Sequence, residues 1–122
     1  MRILVVDDDE LNVELFDAAL RRDGHEVVVE RTGPSGQARA IAEPFDVILL
    51  DIELPGRSGT DVCRALRAAG IRAPIIALSA SVLPIEIART KDAGFTRFLA
   101  KPIAPLDLRA AVRAVFVSGR RD

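Results

Sequence analysis

Short apolar runs alternate with longer segments of helical spacing along the whole chain. Ile3–Val6, Val27–Val29, Val47–Leu50, Ile75–Leu78 and Phe98–Ala100 are the runs, and most of their residues are β-branched or leucine. Continuous apolar runs of this length suit strands buried on both faces of a sheet. Between them, Glu10–Arg22 carries Leu11, Leu15 and Ala19, and Thr60–Ala69 carries Val62, Leu66 and Ala69. Leu106–Phe116 carries Leu108, Ala111, Val112 and Val115, spacings that predict helices with one apolar stripe. Pro34, Pro84 and Pro105 each suit a first helical turn, while Gly24, Gly70 and Gly94 fall where helices should stop. The segment near Pro34–Ala42 is the weakest of the helices because Gly36 sits inside it. The order β-α, repeated five times with short connections, implies an α/β domain whose parallel sheet has helices on both faces.

Composition narrows the possibilities. A chain of 122 residues, 49% hydrophobic and 29% charged, is a globular mixture the size of one domain. We expect that domain over residues 1–117, with 118–122 a short tail whose Arg120–Arg121 pair is a frayed end. No apolar run approaches the roughly 20 residues of a membrane helix, and no signal peptide opens the chain, so a cytoplasmic protein is expected. The net charge is −1, without the basic surplus of a domain that grips nucleic acid by itself. With one cysteine, Cys63, and one histidine, His25, there is no internal disulfide, no cysteine-based zinc site and no histidine cluster. Cys63 reads as a small packing residue, His25 as a solvent-facing turn residue, and Asp9 as a helix cap. Gly33-Pro34-Ser35-Gly36 matches no complete phosphate-loop motif.

The candidate chemistry sits where the apolar runs end. Asp7-Asp8-Asp9 follows the first run, Asp51 the third, Ser79 the fourth and Lys101 the fifth. Ligands of open parallel sheets bind beyond the carboxyl ends of the strands, where these side chains would converge. Two carboxylates 4 Å apart repel by about 4 kcal/mol at an effective dielectric of 20, so a cluster of Asp7, Asp8 and Asp51 calls for a cation or protons. An all-oxygen set suits Mg²⁺. A nucleophilic carboxylate, a divalent metal, a lysine and a hydroxyl are the parts needed for phosphoryl transfer to aspartate. Each residue alone has a plainer reading: Asp7 and Asp8 as turn acids, Ser79 as a turn hydroxyl, Lys101 as a solvated lysine. Their joint placement at the strand ends speaks against that.

Val5-Val6-Asp7-Asp8, Leu50-Asp51-Ile52-Glu53-Leu54-Pro55-Gly56 with Gly59, Ala77-Leu78-Ser79-Ala80 and Lys101-Pro102 resemble bacterial response-regulator receiver domains. The resemblance covers essentially the whole chain. It implies a flavodoxin-like (βα)5 three-layer sandwich with strand order 2-1-3-4-5. It implies Asp51 as the acceptor of a phosphoryl group from a histidine kinase or histidine phosphotransfer protein. Asp8 and Asp51 would bind Mg²⁺ directly, Asp7 through water, and the Glu53 main-chain carbonyl would add a ligand. Lys101 would pair with the phosphoryl group, Ser79 would move to hydrogen-bond it, and Phe98 would be the switching aromatic. The bond before Pro102 would be cis, a class of about 5–6% of X–Pro bonds. Two positions depart from the commonest pattern. Ser79 stands where many members have threonine, and Phe98 replaces tyrosine and equally suits core packing. Glu53 and Ser81 occupy places where members of that family tune the lifetime of the phosphate.

These readings make a single-domain response regulator the leading expectation, and the start at Met1 on the first strand favours a free protein over a piece of a hybrid kinase. The expected target surface is the face of the fourth helix, fifth strand and fifth helix, roughly residues 85–117. The paired charges of DNA-binding regulators that dimerise there are not evident, which suggests a monomer or weak dimer. A pseudo-receiver that binds without being phosphorylated is the main alternative. A small phosphatase of the haloacid-dehalogenase type is disfavoured, because Glu53 stands where that family has a second aspartate. Flavin binding is disfavoured by the acidic first loop, which would repel a cofactor phosphate.

Overall fold

The computed structural model describes residues 1–119, so the Arg120–Arg121 pair lies outside the described residues. Five strands and five helices alternate: β1 (Arg2–Val6), α1 (Glu10–Arg22), β2 (Glu26–Glu30), α2 (Gly33–Ala42), β3 (Val47–Asp51), α3 (Gly59–Ala68), β4 (Ile75–Ser79), α4 (Pro84–Ala93), β5 (Arg97–Ala100) and α5 (Pro105–Gly119). The strands form one parallel sheet in the order β2-β1-β3-β4-β5.

Successive side chains of a strand point to opposite faces, and this period divides the core in two. Ile3, Val5, Leu49 and Leu78 pack with Phe16 and Leu20 of α1 and Leu108 and Val112 of α5. Leu4, Val6, Ile48, Leu50 and Ala77 pack on the other face with Ala40 of α2, Val62, Cys63 and Leu66 of α3 and Ala93 of α4. β1, β3 and β4 are therefore covered on both sides. β5 is an edge strand of four partly exposed residues, with Leu99 packed against the α1–α5 side and Phe98 against the α2–α3–α4 side.

Two local expectations are corrected. Leu11 and Leu15 of α1 are 64% and 41% exposed, and the buried stripe is Val13, Phe16 and Leu20. The helix has two stripes of compatible spacing, and the one holding the large Phe16 ring removes more apolar surface from water. His25 is half-buried at the foot of the sheet, where its Nδ1 accepts a hydrogen bond from the Met1 amine at 3.2 Å. Burial and the neighbouring ammonium push the imidazole below its ordinary pKa.

Local signals account for the helix ends. The Asp9 carboxylate accepts from the N–H groups of Leu11 and Asn12 and caps α1. Thr32 and Ser35 form a reciprocal capping box on α2. Gly36, which weakened that helix in the sequence, is required by packing: a Cβ there would lie 2.6 Å from Val6 Cγ1.

Candidate functional site

The carboxyl ends of β1, β3, β4 and β5 carry Asp7 and Asp8, Asp51, Ser79 and Lys101 to one end of the sheet. Asp7 and Asp51 are buried and Asp8 is exposed at the rim. Each of the three offers a carboxylate oxygen, and these atoms all lie within 4.8 Å of one another. Lys101 Nζ donates to Asp51 Oδ2 at 2.9 Å and stands 3.5 Å from Asp7 Oδ2. One ammonium therefore faces three carboxylates, and the unbalanced negative charge is what an oxygen-ligated divalent cation would neutralise.

Electrostatics follow from that imbalance. Burial pushes the Asp51 carboxyl up to about 6; the Lys101 hydrogen bond opposes the shift and the Asp7 charge adds to it. Burial alone would lower Lys101, but the hydrogen bond to Asp51 and the charges of Asp51, Asp7 and Glu53 outweigh it and hold the ammonium above its ordinary value. The donor set fits a hard cation: oxygen atoms only, two of the carboxylates buried and one open to solvent.

The surrounding loops fix these side chains. Asp7 Oδ1 accepts the N–H of Asp9 at 2.9 Å, and Asp51 Oδ1 accepts the N–H of Glu53 at 3.1 Å. The connection after β3 closes tightly on the strand, where Gly59 N donates to the Ile52 carbonyl. A Cβ on Gly59 would lie 2.0 Å from the Asp51 carbonyl oxygen, so only glycine allows that closure. Ser79 is buried, accepts the N–H of Ser81 at 3.1 Å and donates to Glu53 Oε1 at 3.4 Å. Its carbonyl accepts the Lys101 N–H at 2.7 Å, a backbone link between the hydroxyl and the lysine. The Lys101–Pro102 bond is cis. Phe98 pairs in register with Ala77 and is half-exposed, its ring against the core of the α2–α3–α4 side.

Two contacts escape a reading of the strand ends. Asn12 Nδ2 reaches Asp7 Oδ2 at 3.4 Å from the first turn of α1. An amide five residues after an acidic strand end is a visible signal for it. The Glu53 side chain on Ser79 has no local signal, because 26 residues separate them.

A family model described as the response regulator receiver domain matches residues 3–113. The chain is 38% identical to the DNA-binding response regulator MtrA of Mycobacterium leprae over 114 residues, covering 93% of this chain and 50% of that protein. It thus spans about half the length of the curated relatives it matches. The receiver domain of sensor histidine kinase PA1611 from Pseudomonas aeruginosa PAO1, with magnesium coordinated in its active site cleft, superposes with a TM-score of 0.87 at 32% identity, over 95% of this chain and 97% of that one. The BeF3-activated receiver domain of Klebsiella pneumoniae RstA gives 0.88 at 30% identity, over 95% and 98%.

Proposed function

Because the chain belongs to the response-regulator receiver-domain family, we propose that residues 1–117 form a phosphorylation-controlled switch with Asp51 as phosphoacceptor. Receiver domains are in general signalling domains and not turnover enzymes, and the reading is of that kind. The observation that carries it is the Lys101 ammonium, 2.9 Å from Asp51 and 3.5 Å from Asp7, inside a cluster of three carboxylates.

In the transfer, an Asp51 oxygen attacks the phosphorus of a phosphohistidine on a histidine kinase or histidine phosphotransfer protein. The P–O bond forms as the P–N bond breaks, and the imidazole leaves with the electron pair and takes up a proton. Asp8, Asp51 and the Glu53 main-chain carbonyl would hold Mg²⁺ directly, with Asp7 acting through water. When bound, Mg²⁺ supplies charge neutralisation of the transferring oxygens. Lys101 turns from the free carboxylate to a phosphoryl oxygen, and Ser79 donates its hydroxyl proton to another. The half-exposed Phe98 ring, one strand from Ser79, has room to change its packing as Ser79 moves.

Surface chemistry supports protein partners on two faces. Leu11 and Leu15 of α1, Leu106 of α5, and Val82, Leu83 and Ile85 after β4 are large exposed apolar residues on the segments that follow β1, β4 and β5. Exposed apolar side chains on these segments suit contact with a protein that delivers the phosphoryl group. Between β5 and α5, a groove of about 570 Å³ lined by Arg97, Leu99, Ile103 and Asp107 offers a place for a downstream protein on part of the expected α4–β5–α5 face. The chain would act as a monomer or weak dimer in the cytoplasm without binding nucleic acid. Among the described residues, no helix is long and apolar enough to cross a membrane.

Intact mass after incubation with acetyl phosphate and Mg²⁺ tests the reading. One phosphoryl adduct is expected, lost with a chelator and lost in Asp51→Asn. No adduct, even from a competent phosphohistidine donor, would replace the switch with a pseudo-receiver that binds through its surface alone.

A further inference from the structure

We propose that Glu53 is a positioning residue that holds the Ser79 hydroxyl in the unphosphorylated chain and must release it before the phosphoryl group can be gripped. The inference rests on the reading of Asp51 as phosphoacceptor and Ser79 as its hydroxyl partner. A serine hydroxyl has one proton to donate. Here that proton goes to Glu53 Oε1 at 3.4 Å, while the Ser81 N–H donates to the same Ser79 oxygen at 3.1 Å. Ser79 is buried, and its hydroxyl oxygen is held between these two partners. While the proton points at Glu53, it is not available to an oxygen on Asp51.

The latch is built to open. Glu53 is exposed, and its own N–H is anchored on Asp51 Oδ1 at 3.1 Å, so the carboxylate can swing into solvent without moving its backbone. The contact lies at the long end of O–H···O geometry and is held by the acceptor's charge. A phosphoryl group on Asp51 brings like charge to a residue two positions away and offers Ser79 a better acceptor, and both effects favour release. Glu53 therefore stabilises the resting state, and a ligand gains affinity when a residue favouring its competing state is removed.

The test is a double-mutant cycle in binding of beryllofluoride, the phosphoryl mimic, with Mg²⁺, measured by calorimetry. Glu53→Ala should tighten binding about three- to tenfold. Glu53→Gln, a neutral acceptor that keeps part of the hydrogen bond, should fall between Ala and wild type. In a Ser79→Ala background the gain should shrink at least threefold. Equal tightening in both backgrounds would mean that Glu53 acts through its charge alone and overturns the latch, as would no tightening in either. Should wild type take up no beryllofluoride, the phosphoacceptor reading fails, and the latch is then read in the metal-free chain from the three-bond Hα–Hβ scalar couplings of Ser79. Redistribution of Ser79 rotamers in Glu53→Ala supports it; unchanged couplings overturn it.

Discussion

Asp51→Asn should make the metal-free protein more stable at neutral pH, at the expense of its chemistry. Burial holds the Asp51 carboxyl at about 6 against an ordinary 3.8. Between those values the folded chain binds a proton that the unfolded chain has already released. Stability therefore falls as pH rises through that window, and the full penalty is present above it. At 1.36 kcal/mol per pK unit the penalty is about 3 kcal/mol. Asparagine removes the charge and keeps an acceptor for Lys101, but Lys101 loses an ionic partner, so the net gain at pH 7.5 should be about 1–2 kcal/mol. For a domain of this size that is roughly 3–8 °C in Tm. Denaturant unfolding followed by far-UV circular dichroism, in chelator, is the assay, because the chain has no Trp or Tyr. The gain should shrink towards zero at pH 4, where Asp51 is protonated in the fold. Adding Mg²⁺ should stabilise the wild type and leave the variant nearly unchanged. A variant no more stable than wild type at pH 7.5, or a gain that persists undiminished at pH 4, would refute the reasoning.

Lys101→Met leaves Asp7 and Asp51 without their ammonium, so the metal-free chain should lose about 2–4 kcal/mol; Mg²⁺ should restore part of it, read from paired unfolding curves with and without the ion. Gly36→Ala drives a methyl to 2.6 Å from Val6 Cγ1 and should cost about 1–3 kcal/mol in denaturant unfolding, despite alanine's better helix propensity. Cys63 is buried, and burial pushes its thiol up to about 11, so alkylation by iodoacetamide at pH 8 should be negligible in the native chain and complete in denaturant, read by intact mass.

Much of the fold was legible because its signals are local. β1, β3 and β4 are apolar at every core position since both faces are covered, and a continuous apolar run is the direct record of that. Asp9 caps the helix that follows it through bonds spanning two or three residues. The acids, hydroxyl and lysine at the strand ends were legible as candidates for the same reason: each directly follows its run. Less visible was anything that depends on a choice between equivalent local patterns. The two apolar stripes of α1 are equally regular, and only the sheet beneath decides that Phe16 goes in and Leu15 stays out. Gly36 weakens a helix in isolation, yet Val6 from another element makes it necessary.

The amino-acid sequence by itself determined the alternation of strands and helices, the helix boundaries and the residue types available at the strand ends, because periodicity, capping and turn chemistry act over a few neighbouring positions. The tertiary structure alone decided which of those groups meet. Lys101 reaches Asp51 across 50 residues and Glu53 reaches Ser79 across 26. Hydrogen bonds and charges act over a few ångströms, so such pairs exist only once the parallel order of the sheet has brought distant strand ends side by side.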